Sequence, residues 1–224
     1  MSLINEIKDN VVAGRMDVNS PYPPELAGTP GVRDLVRKAL DDGLPVGAVL
    51  KDGLIAGMEV IGNKFSAGEC FVPEMLISAR SMKAGLELLE PHLVGQNIEK
   101  LGTIIMGTVQ GDMHDIGKNL VGMMLEGGGF EVVDIGIDTP PQKFVEVAQE
   151  HPKAVIGLSA LLTTTMGTMK TTISALRAAG CSNRVIIGGA ATSQQFADEI
   201  SADGFSIDAA KAVPLVKKLL KLSD

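Results

Sequence analysis

The chain is 224 residues long, with a hydrophobic fraction of 45%, no Trp, one Tyr and 11 Met; that is enough for one large or two small domains with real cores. Its net charge of −7 is spread evenly, 9 basic against 13 acidic side chains over residues 1–92 and 11 against 14 over the rest. The lack of a basic patch or tail excludes binding to a nucleic-acid backbone, and the lack of a long apolar run excludes a membrane span.

Cys70 and Cys181 show neither disulfide nor metal spacing, and the opening MSLINEIKDNVV has no basic segment leading into an apolar one. Both features predict a cytoplasmic protein in a reducing compartment. The many methionines can pad an irregular core or serve an adaptable surface.

In chain order, a short helix is predicted over 2–13, followed by a Pro-rich connector, NSPYPPELAGTP (19–30), too stiff to be helical throughout. Over 31–42, Val32, Leu35, Val36, Ala39 and Leu40 recur at helical spacing. A third helix spans 45–62, opened by Pro45, with Val49, Ile55, Met58 and Ile61 on one stripe. FSAGECFV (65–72) reads as a helix-to-helix turn, and 73–90 as a fourth helix carrying Leu76, Ile77, Met82, Leu86 and Leu89. These make a four-helix bundle over 1–92, joined by a linker at 91–100 to a second domain, 93–224.

The second domain has a different period. TIIMGT (103–108), FEVVDIG (130–136), AVIGLS (154–159) and RVIIGG (184–189) are short, β-branched runs, and GFSI (204–207) is a weaker fifth. Each precedes a helix-like stretch: 116–127, 140–150, 166–179, 194–200 and 208–221. Alternation at this spacing predicts a doubly wound, five-stranded parallel sheet of Rossmann or flavodoxin type.

Ligands in such sheets sit beyond the carboxyl ends of the strands. The loops there are QGDMHDIG, SALLTTTM, GGAATS and IDAAKA, rich in hydroxyls and missing side chains. A phosphate loop is one rival, but neither Gly-Lys-Ser/Thr nor GxGxxG occurs, and Lys118 is followed by Asn119. A receiver domain is another and leaves His114 unexplained. Asp112, two residues before His114, can accept from one ring nitrogen, fix the tautomer and leave the other nitrogen outward. Gly117 lets the next helix start close to whatever the ring reaches. His92 and His151 fall in the linker and at a helix end, so a multi-histidine zinc site has little support. One axial nitrogen suits a metal whose other positions belong to a macrocycle.

Asp112-x-His114-x-x-Gly117, Ser159-x-Leu161 and Gly188-Gly189, with the bundle segment FSAGECFVPEMLISARSMKAGLELLEP, resemble the corrinoid proteins of methyltransferase systems and the cobalamin-binding region of methionine synthase. The resemblance covers almost the entire chain. It implies that His114 is the lower ligand of cobalt in cobalamin, Asp112 its partner, and Thr165 the hydroxyl completing the relay, where methionine synthase has a serine. Gly111, Met113 and Asp115 would line the lower corrin face. Ser159, Thr163, Gly188, Gly189 and Ala209 would hold the nucleotide tail, and Phe65 and Val72 would shield methylcobalamin from above.

The resemblance further implies methyl shuttling, with Co(I) taking a methyl group and methyl-Co(III) yielding it to a coenzyme M-like thiol or tetrahydrofolate. The chain would then be a non-catalytic subunit served by a donor methyltransferase, an acceptor methyltransferase and a reductive activation protein. The linker would let the bundle swing aside, and Asp112 would couple histidine release to a proton. The cobalamin subunit of an adenosylcobalamin mutase and a cobalamin sensor share the histidine loop and remain alternatives.

Overall fold

The computed structural model describes residues 2–93 and 100–222. It divides into two compact units, Met1–Glu99 and Lys100–Asp224.

In the first unit, α1 (Leu3–Ala13) is capped by Ser2, whose hydroxyl accepts from Asn5 N, and ends at Gly14. The Pro-rich connector holds only a 3-10 turn, Pro24–Leu26. Its shape comes from Arg15, which is fully buried and donates to the carbonyls of Val18, Ser20, Tyr22 and Thr29. α2 (Val32–Asp41) buries Val32, Leu35, Val36 and Ala39 as the periodicity predicts. The third predicted helix is longer than its stripe suggests. It runs from α3 (Val46–Ala48) through a π-helical stretch (Val49–Ile55) into α4 (Ala56–Ser66).

α5 (Val72–Leu93) starts one residue earlier than predicted and carries Pro91 inside it. Residues 91–93 of the predicted linker are therefore helical, and 94–99 lie outside the described residues. Phe65 belongs to α4 and Val72 to α5, so the turn between them is confined to 67–71. Met58, Met75 and Met82 are buried in this unit's core, the packing role that an unbranched, adaptable side chain suits.

The second unit alternates β1 (Thr103–Thr108), α6 (Ile116–Gly127), β2 (Glu131–Asp134), α7 (Pro141–Glu150), β3 (Val155–Ser159), α8 (Met166–Ala178), β4 (Val185–Gly188), α9 (Gln194–Glu199), β5 (Gly204–Ser206) and α10 (Ala209–Leu219). All strand pairs are parallel, in the order β2-β1-β3-β4-β5. Ile105, Ile156, Leu158, Val185 and Ile187 pack with Phe144 and Val147 of α7, Met169, Ile173 and Leu176 of α8, and Ala197 of α9. α6 and α10 pack on each other and complete the double winding. β2 is shorter than its apolar run because it is an edge strand, exposed at both ends, and the chain turns at Gly136 with φ +90°.

This order reverses between β1 and β3. Connections from those two strands leave in opposite directions, opening a crevice at their carboxyl ends.

Candidate functional site

β1 ends at Thr108, and the next seven residues carry the histidine. Asp112 lies fully buried at the bottom of this loop. Its Oδ1 accepts from His114 N at 3.1 Å and faces His114 Nδ1 at 2.7 Å. Its Oδ2 accepts from Leu161 N at 2.8 Å, Leu162 N at 3.3 Å and Thr165 Oγ1 at 2.7 Å. A carboxylate has about four lone-pair sites, and here five donors converge on them. The acid ties the loop after β1 to the loop after β3, across the switch point.

The electrostatics follow from that crowding. Burial alone raises the pKa of Asp112, but the hydrogen bonds from Thr165, from the ring and backbone of His114, and from Leu161 outweigh it and hold the carboxyl well below the ordinary range. Asp112 is therefore held in its charged form, and its carboxylate orients the imidazole. With Nδ1–H donated to this carboxylate, Nε2 is left as the free nitrogen. The side chain of His114 is 50% exposed, so the ring stands at the surface of the loop.

Thr165 precedes α8 at the N-cap position, yet makes no capping bond to its own helix. Its hydroxyl is shared instead between Asp112 Oδ2 and the carbonyl of Leu162, at 2.7 and 2.9 Å. Thr108, buried at the end of β1, donates from Oγ1 to His114 O at 2.8 Å and pins the histidine's main chain. The sequence reading did not single out Thr108; its position as the last residue of the strand was the available signal.

The other predicted residues fall into groups. Gly111, with φ +89°, and Met113, exposed at 65%, share the loop with His114. Asp115 precedes α6, where its Oδ2 accepts from Asn119 Nδ2 at 3.0 Å. Gly117 faces open space in the first turn of α6. Ser159 and Gly188 are paired neighbours at the ends of β3 and β4. Gly189, at φ +119°, runs so close to β3's loop that a Cβ there would stand 2.0 Å from Ala160 O. Thr163 is exposed and Ala209 is the buried first residue of α10. In the helical unit, Phe65 and Val72 are half-buried, while Phe71, which the sequence reading passed over, is 68% exposed.

Two family models described as B12 binding domains match the chain, one over residues 102–216 and the other over 29–90. A corrinoid protein of Desulfitobacterium hafniense (strain Y51) is 40% identical over 225 residues, covering 98% of each chain. The chain belongs to the corrinoid proteins of methyltransferase systems. Dimethylamine corrinoid protein 2 of Methanosarcina mazei is 38% identical over 221 residues, 97% of each chain. The crystal structure of the methanol:cobalamin methyltransferase complex MtaBC of Methanosarcina barkeri superposes with a TM-score of 0.80 at 26% identity, covering 99% of this chain and 80% of that one.

The residues of this corrinoid protein fit the group the family binds. Among the described residues no three His, Cys, Asp or Glu side chains form a metal-binding group. A metal held at His114 would therefore need its other ligands from outside these side chains, as a corrin supplies them. Met113, Leu161 and Leu162 in the same two loops, with Ile116 at the start of α6, are large apolar residues left exposed, a surface that a folded chain ordinarily covers. Gly189 provides a bare backbone edge beside them in sheet order. Among the described residues no helix is long and apolar enough to cross a membrane.

Proposed function

We propose that the chain carries a methyl group on a protein-bound corrinoid, between a donor methyltransferase that loads it and an acceptor methyltransferase that unloads it onto a thiol or reduced folate. The observation that carries this reading is the half-exposed imidazole of His114 at the β1–β3 switch point, its ring fixed through Nδ1 by a buried carboxylate.

A bound corrinoid supplies a cobalt centre whose reduced form accepts a methyl group and whose oxidised form yields it. His114 would hold the cobalt through Nε2. Asp112 holds the ring by Nδ1, and Thr165 with the amides of Leu161 and Leu162 holds Asp112. Such outer partners set the orientation and basicity of a ligating histidine, the protein's lever on the cofactor. Ser159, Thr163, Gly188, Gly189 and Ala209 would receive the nucleotide tail, with Gly189 lacking a side chain because the backbone of Ala160 already fills that space. Gly111, Met113 and Asp115, in the same loop as His114, would line the corrin. In the helical unit, taken by itself, Phe65 and Val72 are half-buried apolar residues that would suit a methyl-bearing ligand.

The 38% identity to a dimethylamine corrinoid protein supports a methylated amine as the donor class. A reductive activation protein would restore the reduced cofactor.

The test is reconstitution with hydroxocobalamin. The wild-type spectrum is expected to show displacement of the cofactor's own base, and His114→Gly to lose that signature and bind about ten- to a hundredfold more weakly. An unchanged spectrum in the variant overturns the reading. Incubating the reduced protein with donor methyltransferases and mono-, di- and trimethylamine, methanol or a methoxylated aromatic then identifies the donor by the absorbance of the methylated cofactor.

A further inference from the structure

The loop carrying His114 is held on two sides. Asp112 binds it to the loop after β3; the strand on the other side of β1 is β2. Pairing with β2 continues past the end of the strand. Thr108 N donates to Gly136 O, Thr139 N donates to Thr108 O, each at 3.0 Å, and Val109 bridges Thr139. At the tip of this extension stands Asp138. Its Oδ1 accepts from Gly111 N at 2.7 Å, and its own N–H donates to Asp112 O at 3.0 Å.

One residue thus grips two consecutive residues of the histidine loop, one with its side chain and the other with its backbone. To do so it adopts φ +49°, a region uncommon for residues with a Cβ and better tolerated by Asp and Asn. Gly111 opposite it is at φ +89°.

The base of the loop after β2 is also anchored. Asp134 Oδ1 accepts from Gly136 N at 2.9 Å, and its Oδ2 accepts from Lys118 Nζ at 2.5 Å. Lys118 is buried in the first turn of α6, four residues after His114. The contacts close a circuit, from α6 through Asp134, Gly136 and Asp138 to Gly111–Asp112, and along the chain through His114 back to α6.

We propose that Asp138 is a positioning residue for His114, fixing where Nε2 stands by clamping Gly111 and Asp112 from the β2 side. The inference rests on the reading of His114 as the cobalt ligand. Asp138 does not touch the ligand site itself; it acts through the peptide segment that leads into the relay.

Asp138→Gly and Asp138→Asn separate this role from simple folding. Glycine keeps the left-handed backbone and the N–H to Asp112 while removing the acceptor for Gly111. Asparagine keeps an Oδ1 acceptor. Each protein is loaded with cob(II)alamin, with and without 15N-histidine, and the nitrogen splitting in the electron paramagnetic resonance spectrum is measured alongside the dissociation constant for hydroxocobalamin and the circular dichroism. Wild type and Asp138→Asn are expected to show the 15N-dependent splitting. Asp138→Gly is expected to lose most of it and to bind roughly ten- to a hundredfold more weakly, with unchanged circular dichroism.

Wild-type splitting and affinity in Asp138→Gly overturn the inference, as does equal loss in Asp138→Asn. A wild-type protein with no histidine splitting sinks the ligand reading instead, and this inference with it. Should the glycine variant not fold, Asp138→Ser, whose shorter side chain withdraws the acceptor, is read by the same criteria.

Discussion

Asp112 Oδ1 and His114 Nδ1 stand 2.7 Å apart, the acid fully buried and the imidazole half exposed. The pair divides the labour of a ligand site. The buried member is saturated by the protein, and the exposed one keeps a single nitrogen for something outside it.

Stability should depend on pH through Asp112. Its carboxyl is held below the ordinary range in the fold, so its contribution is fully present above the unfolded-state value, about 3.9. The contribution is lost as pH falls through the folded value. Urea midpoints of the cofactor-free protein are expected to drop from about pH 5 downward. In Asp112→Asn that drop flattens, and about 2 kcal/mol is lost at neutral pH because buried donors lose a charged acceptor. Parallel pH profiles for the two proteins would remove Asp112 as the source.

Thr165 tests the hydroxyl of the relay. Thr165→Ser retains an Oγ within reach of Asp112 Oδ2 and is expected to keep the spectrum of the loaded protein and most of its stability. Thr165→Val replaces that donor, now at 2.7 Å, with a methyl group. It should cost about 1–2 kcal/mol and alter the cobalt spectrum. Equal behaviour of the two variants would show that the hydroxyl is dispensable.

Gly189 tests the sheet edge. A Cβ there would overlap Ala160 O, and φ +119° is strained for any other residue. Gly189→Ala should therefore cost about 1–3 kcal/mol by thermal unfolding. It should also weaken corrinoid binding by pushing the β3 and β4 loops apart. Binding and melting both at wild-type values would mean that the edge tolerates a side chain.

The Lys118–Asp134 pair is asymmetric, with side chains 3% and 49% exposed. Lys118→Met leaves a carboxylate that water can reach, whereas Asp134→Asn leaves a buried ammonium facing only neutral amide oxygens, Asn119 Oδ1 among them. The second change is expected to be the worse, by about 2 kcal/mol in denaturant titration. The opposite ranking would mean that the charge on Lys118 is not what the pair neutralises.

Much of this fold is legible in sequence because its signals are local. β-Branched runs such as VIGLS and VIIG sit in buried central strands, where no competing pattern exists. The stripe of Val32, Leu35, Val36 and Ala39 is what one helix buries. Boundaries were harder where tertiary packing decides them, as at Pro91, which sits inside α5, and at β2, cut short by its edge position.

The site divides in the same way. Asp112, His114 and Gly117 fall within one six-residue segment, 112–117, and a chain reader meets them together. Asp138 and Lys118 act on that loop from other elements and become visible only once β2 is known to lie beside β1. Thr108 is silent for a different reason: a hydroxyl ending a strand has many ordinary uses. Phe71 was overlooked because an apolar residue in a turn carries no signal of its own exposure.

A tethered ring need not search. Because Nδ1 of His114 stays fastened whether or not anything occupies Nε2, a metal that lets go and later returns would find the lone pair aimed where it left it. The entropy of aligning the ring is spent once, at folding, and repeated detachment and recapture over many turnovers would carry no fresh orientational penalty.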